Sequence, residues 1–135
     1  MRRLALVLAA LTALGGPAQA LDGDQKTPTR GPEFTGVPKD AVLSYNLIGL
    51  NVVDGQQNSV GEIKDIVIEN GKLAGYILSV GGFLGVGERY VAVKPESVAL
   101  GYDADGKKWK AIIGASKDQL KAAPEFKYEG KFNRT

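Results

Sequence analysis

Val60-Gly61-Glu62-Ile63-Lys64-Asp65-Ile66-Val67-Ile68-Glu69-Asn70-Gly71-Lys72-Leu73-Ala74-Gly75-Tyr76-Ile77-Leu78-Ser79-Val80 is the stretch on which the fold turns. β-branched and aromatic residues fill both halves, and Asn70-Gly71 between them is the pair that most readily takes two successive positive φ values. The pattern predicts two strands joined by a tight hairpin. In the outgoing strand Ile63 and Val67 share one parity, while Ile66 and Ile68 share the other. A bend or bulge near Lys64-Asp65 reconciles them. The returning strand, Leu73 to Val80, carries apolar residues on both faces.

The same punctuation continues on either side. Short apolar stretches begin near Leu47, Val60, Lys72, Arg89, Ser97 and Lys108, and Gly, Pro, Asn and Asp clusters separate them. That spacing predicts an all-β domain. Ile48, Leu50 and Val52 share one face of the first stretch, as in a half-buried strand. Asp105-Gly106 turns Val98 to Tyr102 back onto Trp109 to Ile113. About six short strands with glycine-rich corners point to a small closed barrel, because closure removes exposed edges. Ile63, Val67, Ile77, Val91 and Val93 are expected to fill its interior, and Gly61, Gly75, Gly81 and Gly82 to allow sharp bends or close approach. Beyond Gly114, Ser116 and Gln119 form a capping box and Pro124 is a helix stop, which together predict a short helix from about Lys117 with Leu120 docking it. Phe126, Tyr128 and Phe132 then alternate with charged residues, as an extended strap or a free tail.

The chain has 135 residues, 44% hydrophobic and 24% charged, with neither cysteine nor histidine. Disulfides, thiolate metal sites, Cys and His nucleophiles and a His general base are therefore excluded. Met1-Arg2-Arg3, the apolar run Leu4 to Leu14 and the small residues of Ala18-Gln19-Ala20 make up a secretory signal peptide cleaved after Ala20. That run is too short to be retained as a transmembrane helix. A polar stretch without periodicity comes next, giving four divisions: signal peptide 1–20, flexible linker 21–40, barrel domain 41–114, and short helix with C-terminal tail 115–135. The expected location is the bacterial periplasm. Of 17 Lys and Arg, Arg2 and Arg3 lie in the signal, which leaves 15 against 15 acids. A net charge of zero gives no footprint for nucleic acid. The end from Lys107 onward is mildly basic, and its use on anionic envelope polymers is a minor reading.

A family resemblance rests on four segments: Leu47-Ile48-Gly49-Leu50 with Val52; Gly61, Ile63 and Asp65-Ile66-Val67-Ile68; Gly71 with Gly75-Tyr76-Ile77-Leu78-Ser79-Val80-Gly81-Gly82-Phe83-Leu84-Gly85-Val86-Gly87; and Tyr90-Val91-Ala92-Val93-Lys94. Together they resemble the PRC-barrel domain over roughly Ala41 to Phe126, and Ser116 to Phe126 is similar to the closing helix of exported members. The resemblance implies a PRC-type barrel, in a family known from the reaction-centre H subunit and a ribosome-maturation factor, and the glycine and apolar residues that carry it fit a module that binds rather than reacts. Lys94-Pro95-Glu96-Ser97 departs from the Pro-Trp pair frequent in the family.

These residues supply the candidate sites. Phe83, Leu84, Val86, Arg89 and Tyr90 form a glycine-flanked corner expected to bind a protein partner, or a second copy as a homodimer. Gly49, Gly61, Asp65, Gly71, Gly75, Gly81, Gly82, Gly85 and Gly87 are expected to be structural, and Glu88-Arg89 to be a surface pair. The corner is not a nucleotide loop, since Tyr90 stands where a dinucleotide fingerprint needs its last glycine. Asp103-Ala104-Asp105-Gly106 is a hairpin turn and not a calcium loop, because Gly101 and Ile112 stand where ligands are required. No cofactor, metal or catalytic residue is expected. The alternative is a carboxylate-dependent enzyme acting on an envelope substrate through Asp65 with Glu69 or Glu62.

Overall fold

The computed structural model describes residues 26–81 and 87–134. The chain divides into Met1–Val37 and Pro38–Thr135. In the first unit, residues 26–37 are exposed and carry no strand or helix, and Arg30 and Glu33 form an ion pair at 3.7 Å. The segment expected to be a signal peptide, 1–20, and the first part of the expected linker, 21–25, lie outside the described residues.

The second unit opens with a single helical turn, α1 (Ser44–Leu47), followed by β1 (Asn51–Val53), β2 (Ser59–Glu69), β3 (Lys72–Val80), β4 (Arg89–Val93), β5 (Val98–Asp103), β6 (Lys108–Ile113) and α2 (Lys117–Ala122). The six strands form one sheet in the order β4-β3-β2-β1-β6-β5. All neighbours are antiparallel except β1 and β6, which pair in parallel through Val52 with Ala111 and Val53 with Ile112.

The central hairpin forms as its turn chemistry dictates. Asn70 (φ 52°) and Gly71 (φ 78°) both take positive φ, which brings Glu69 opposite Lys72. The bulge expected near Lys64-Asp65 is present, as the register shifts between Ile63 and Asp65. A second shift lies between Val67 and Ile68. These two shifts reset the parity of β2. Ile63 is fully buried in the core and Ile66 packs against it, whereas Val67 and Ile77 face the other side of the sheet, contrary to the interior placement expected for them. Gly61 and Gly75 are needed for close approach. A Cβ on Gly61 would sit 2.8 Å from the Ser79 carbonyl oxygen, and one on Gly75 would sit 2.5 Å from that of Val93.

Other expectations change in detail. The first strand is only three residues long, because Leu47 belongs to α1 and Ile48, 47% exposed, caps it. Hydrogen bonds from Gly49 N–H to the Ile63 carbonyl and from Ile63 N–H to the Leu50 carbonyl then carry the chain into the sheet. Between β1 and β2 the Asp54 carboxylate accepts the N–H groups of Gln56 and Asn58, both at 2.9 Å, which holds its pKa below the ordinary value. The β5–β6 turn spans four residues: Asp103 accepts the N–H groups of Asp105 and Gly106, and Lys107 takes the positive φ of 56°.

The closed barrel expected from the spacing is replaced by an open ladder. β4 and β5 are its two ends, separated by a 3-10 turn at Pro95–Ser97 that hydrogen-bonds to itself, Ser97 N–H to the Lys94 carbonyl. The sheet nevertheless encloses one core. Val91 of β4, Leu78 and Val80 of β3, Ile63 of β2, Val52 of β1, Ala111 and Ile113 of β6 and Val98 of β5 belong to a single buried cluster, completed by Leu47 of α1 and Leu120 of α2. Both end strands contribute to that cluster without pairing with each other in the ladder.

Candidate functional site

The corner leaving β3 starts at Gly81 (φ 73°) and ends at Gly87 (φ 75°). Gly82, Phe83, Leu84, Gly85 and Val86 lie outside the described residues. The three residues after the corner all have partners. Glu88 accepts the hydroxyl of Ser79, a polar side chain only 7% exposed, and the hydroxyl of Tyr90 at 3.0 Å. The Ser79 hydrogen bond holds the Glu88 carboxyl below its ordinary pKa against the opposing effect of burial. Arg89 does not pair with Glu88 as the sequence suggested. Its Nη2 donates to the Ala123 carbonyl at 2.6 Å, and its buried Nε has no partner among the described residues.

Tyr90 binds the C-terminal segment directly. Phe126 N–H donates to the Tyr90 carbonyl at 2.7 Å in an antiparallel bridge, and the Tyr128 ring meets the Tyr90 ring edge-on at 5.0 Å. Phe126 also packs edge-on against Tyr128 (4.9 Å) and Phe132 (5.8 Å), while Arg134 lies over Tyr128 and Lys131 over Phe132. The Tyr128 hydroxyl donates to Asp65 at 3.2 Å. Burial, with the Asp65 charge behind it, pushes the Tyr128 pKa up to about 12. The C-terminal residues therefore form a strap across the outer face of β2–β4. A cleft of about 460 Å³ lies beside it, lined by Val67, Ile77, Phe126, Tyr128 and Phe132. Arg89 and Tyr90 are the two partner-binding candidates within the described residues, and the chain's own tail occupies both.

The candidate carboxylates are dispersed. Asp65 is spent on Ile66 N–H (2.9 Å) and Tyr128, Glu62 pairs with Lys64 at 3.5 Å, and Glu69 is exposed at the hairpin end. Among the described residues no group of three or more acids is gathered as a metal site would need. The lysines of the basic end are spread over the β5–β6 turn, α2 and the strap, and Lys110 pairs with Asp103 at 3.6 Å.

The other end of the sheet is a surface that the sequence pattern does not single out. Among the described residues no strand pairs with the outer edge of β5. Val98-Ala99-Leu100-Gly101-Tyr102 carries no charge and no proline to discourage pairing. Tyr102, 53% exposed, meets Trp109 edge-on at 5.2 Å. Ile112 separates two clefts: one of about 490 Å³ reaching Leu50, Val53 and Trp109, and one of about 400 Å³ along Ala99, Gly101 and Tyr102. The uncharged run was visible in the sequence, but the strand's place at the end of the order was not.

A family model described as PRC-barrel domain matches residues 39–120, well over half of the chain. No curated protein matches it.

Proposed function

The chain belongs to the PRC-barrel domain family, and on that premise we propose that it is an exported, non-catalytic module that binds a protein partner or a second copy of itself in the bacterial envelope. Export rests on the basic start, apolar run and small-residue cleavage site of the first 20 residues. Binding rests on one observation, the bare outer edge of β5. An edge strand with unpaired N–H and C=O groups and an uncharged sequence accepts a further strand by main-chain hydrogen bonding, and side-chain clefts beside it select the occupant. Here Ala99, Gly101, Tyr102 and Ile112 line such a cleft of about 400 Å³ together with Asp103 and Lys110. At the opposite edge, β4, the strap makes one antiparallel bridge, at Tyr90.

Gly101→Lys tests this reading. Nothing lies within 4 Å of a Cβ built on Gly101, so the lysine fits the folded chain and places a charge on the edge. Residues 21–135 would be used as bait in an envelope extract and also run alone to measure self-association. Gly101→Lys is expected to lose the captured protein, or the self-association, that the wild type shows. Unchanged capture and association by a folded Gly101→Lys variant would refute the assignment. A parallel Phe83→Asp variant separates the corner expected from the sequence from the β5 edge.

A further inference from the structure

The Tyr76 hydroxyl is a polar group that the fold leaves unused. Tyr76 stands in the middle of β3, 3% exposed and part of the core cluster, where phenylalanine would fill nearly the same space. A buried tyrosine usually finds a partner for its hydroxyl, because an unmet O–H loses its water and gains nothing in return. Here the hydroxyl takes part in no hydrogen bond among the described residues, and burial alone raises its pKa. Nor is it sealed in, since the fully enclosed side-chain nitrogen or oxygen without a partner among the described residues is Arg89 Nε. The hydroxyl therefore opens onto the cleft that Tyr76 lines.

That cleft, about 520 Å³, lies between α1 and the β2–β3 hairpin. Its walls include Leu47 and Ile48 at α1, Ile66 and Ile68 of β2 and Leu73 of β3, and Ile48 and Ile68 remain 47% and 62% exposed. The other polar side chains on it are Ser44 and Asp65, and its lining includes no Lys or Arg. Asp65 is committed on both oxygens, Oδ1 to Ile66 N–H and Oδ2 to the Tyr128 hydroxyl. Aliphatic walls with a few polar groups, at this volume, are the make-up of a small-molecule site. We propose that the cleft binds an uncharged apolar molecule bearing one acceptor oxygen, a ketone or ether by class, whose oxygen takes the Tyr76 O–H. The lining disfavours other occupants. An anion would face Asp65 with no cation to meet it, and a cation would give up its water against aliphatic walls. A single water, with a share of roughly 30 Å³, leaves most of the space unfilled. This site is separate from the β5 edge and does not depend on it.

Four probes of similar shape test the proposal in the full chain: acetophenone, its alkene analogue α-methylstyrene, benzoate and 1-phenylethylammonium. Methyl NMR titrations followed at Ile48, Ile66, Ile68 and Leu73 locate the binding. Acetophenone is expected to shift these methyls saturably and to bind about fivefold more tightly than α-methylstyrene. The two charged probes are expected not to bind. Tyr76→Phe removes the unmet hydroxyl and keeps the packing, so it should fold at least as stably as wild type and bind the two uncharged probes equally. Loss of the preference without loss of stability is a result that a purely structural Tyr76 would not give. Leu73→Trp, which fills the cleft from an exposed position, is expected to bind neither probe. Absence of saturable acetophenone binding, shifts elsewhere than these methyls, equal binding of ketone and alkene by wild type, or a preference for the ammonium would each overturn the proposal. The wild-type titrations decide it even if neither variant folds.

Discussion

Gly75 and Lys107 ask opposite things of their side chains. At Gly75 the Val93 carbonyl oxygen occupies the position a side chain would need, 2.5 Å from an ideal Cβ, and the obstacle is backbone that cannot swing aside. Gly75→Ala is expected to destabilise the domain by about 3 kcal/mol through forced separation of β3 and β4. Lys107 holds a left-handed φ of 56° that costs an L-residue about 1 kcal/mol. Lys107→Gly should remove most of that strain, partly offset by the greater freedom of glycine in the unfolded chain. Chemical denaturation of both variants checks the pair, and a destabilised Lys107→Gly would contradict the strain assigned here. The importance of Gly75 was legible as a glycine inside an apolar strand. The strain at Lys107 was not, because Asp105-Gly106 drew the turn one residue too early; the Asp103 carboxylate bonding to both their N–H groups moves the positive φ on to Lys107.

At the scale of the element, α2 shows how short a helix can be when its end is closed. Ser116 Oγ accepts the Gln119 N–H at 3.1 Å, the Gln119 side chain accepts the Ser116 N–H at 2.8 Å, and Leu120 is buried in the core. Six residues are too few to hold a helix by propensity. Ser116→Ala is expected to cost about 1 kcal/mol, and Leu120→Ala, which opens a cavity where α2 meets the core, about 2–5 kcal/mol. Thermal unfolding of the two variants should rank them in that order, and equal losses would mean that the cap rather than the packing holds α2. Both features were read from sequence because a capping box and an apolar residue one turn later are local. The pairing of β1 with β6 was not readable: Val52 and Ala111 are far apart along the chain, and no residue in either strand encodes a parallel neighbour.

For the whole molecule, the two ends of the sheet receive different treatment, and the strap makes the difference. Its attachment carries a pH signature. The Tyr128 pKa, raised from 10.0 to about 12 by burial and then by Asp65, means that folding favours the neutral phenol. The stabilisation is therefore complete below about pH 10 and is lost as pH rises towards 12. Burial raises Tyr76 and Tyr90 as well, so a tyrosinate absorbance titration should show a late step that Tyr128→Phe reduces by one tyrosine, with loosening of the strap across the same interval in wild type. A titration unaltered by Tyr128→Phe would disconnect Tyr128 from the late step. By itself the sequence determined what depends on neighbours in the chain: the hairpin at Asn70-Gly71, the bulge forced by the parity conflict in Val60 to Glu69, the capped α2 and the glycine and apolar pattern of the family. Only the tertiary structure decided which strands end the sheet, that the ladder stays open between β4 and β5, that Ile77 is buried away from the core, and that Arg89 and Tyr90 serve the chain's own tail. The physical reason is that backbone conformation and capping are settled over a few residues. Edge, seam and strap depend on contacts between segments tens of residues apart, where burial of apolar surface selects among arrangements that the local pattern leaves equally open.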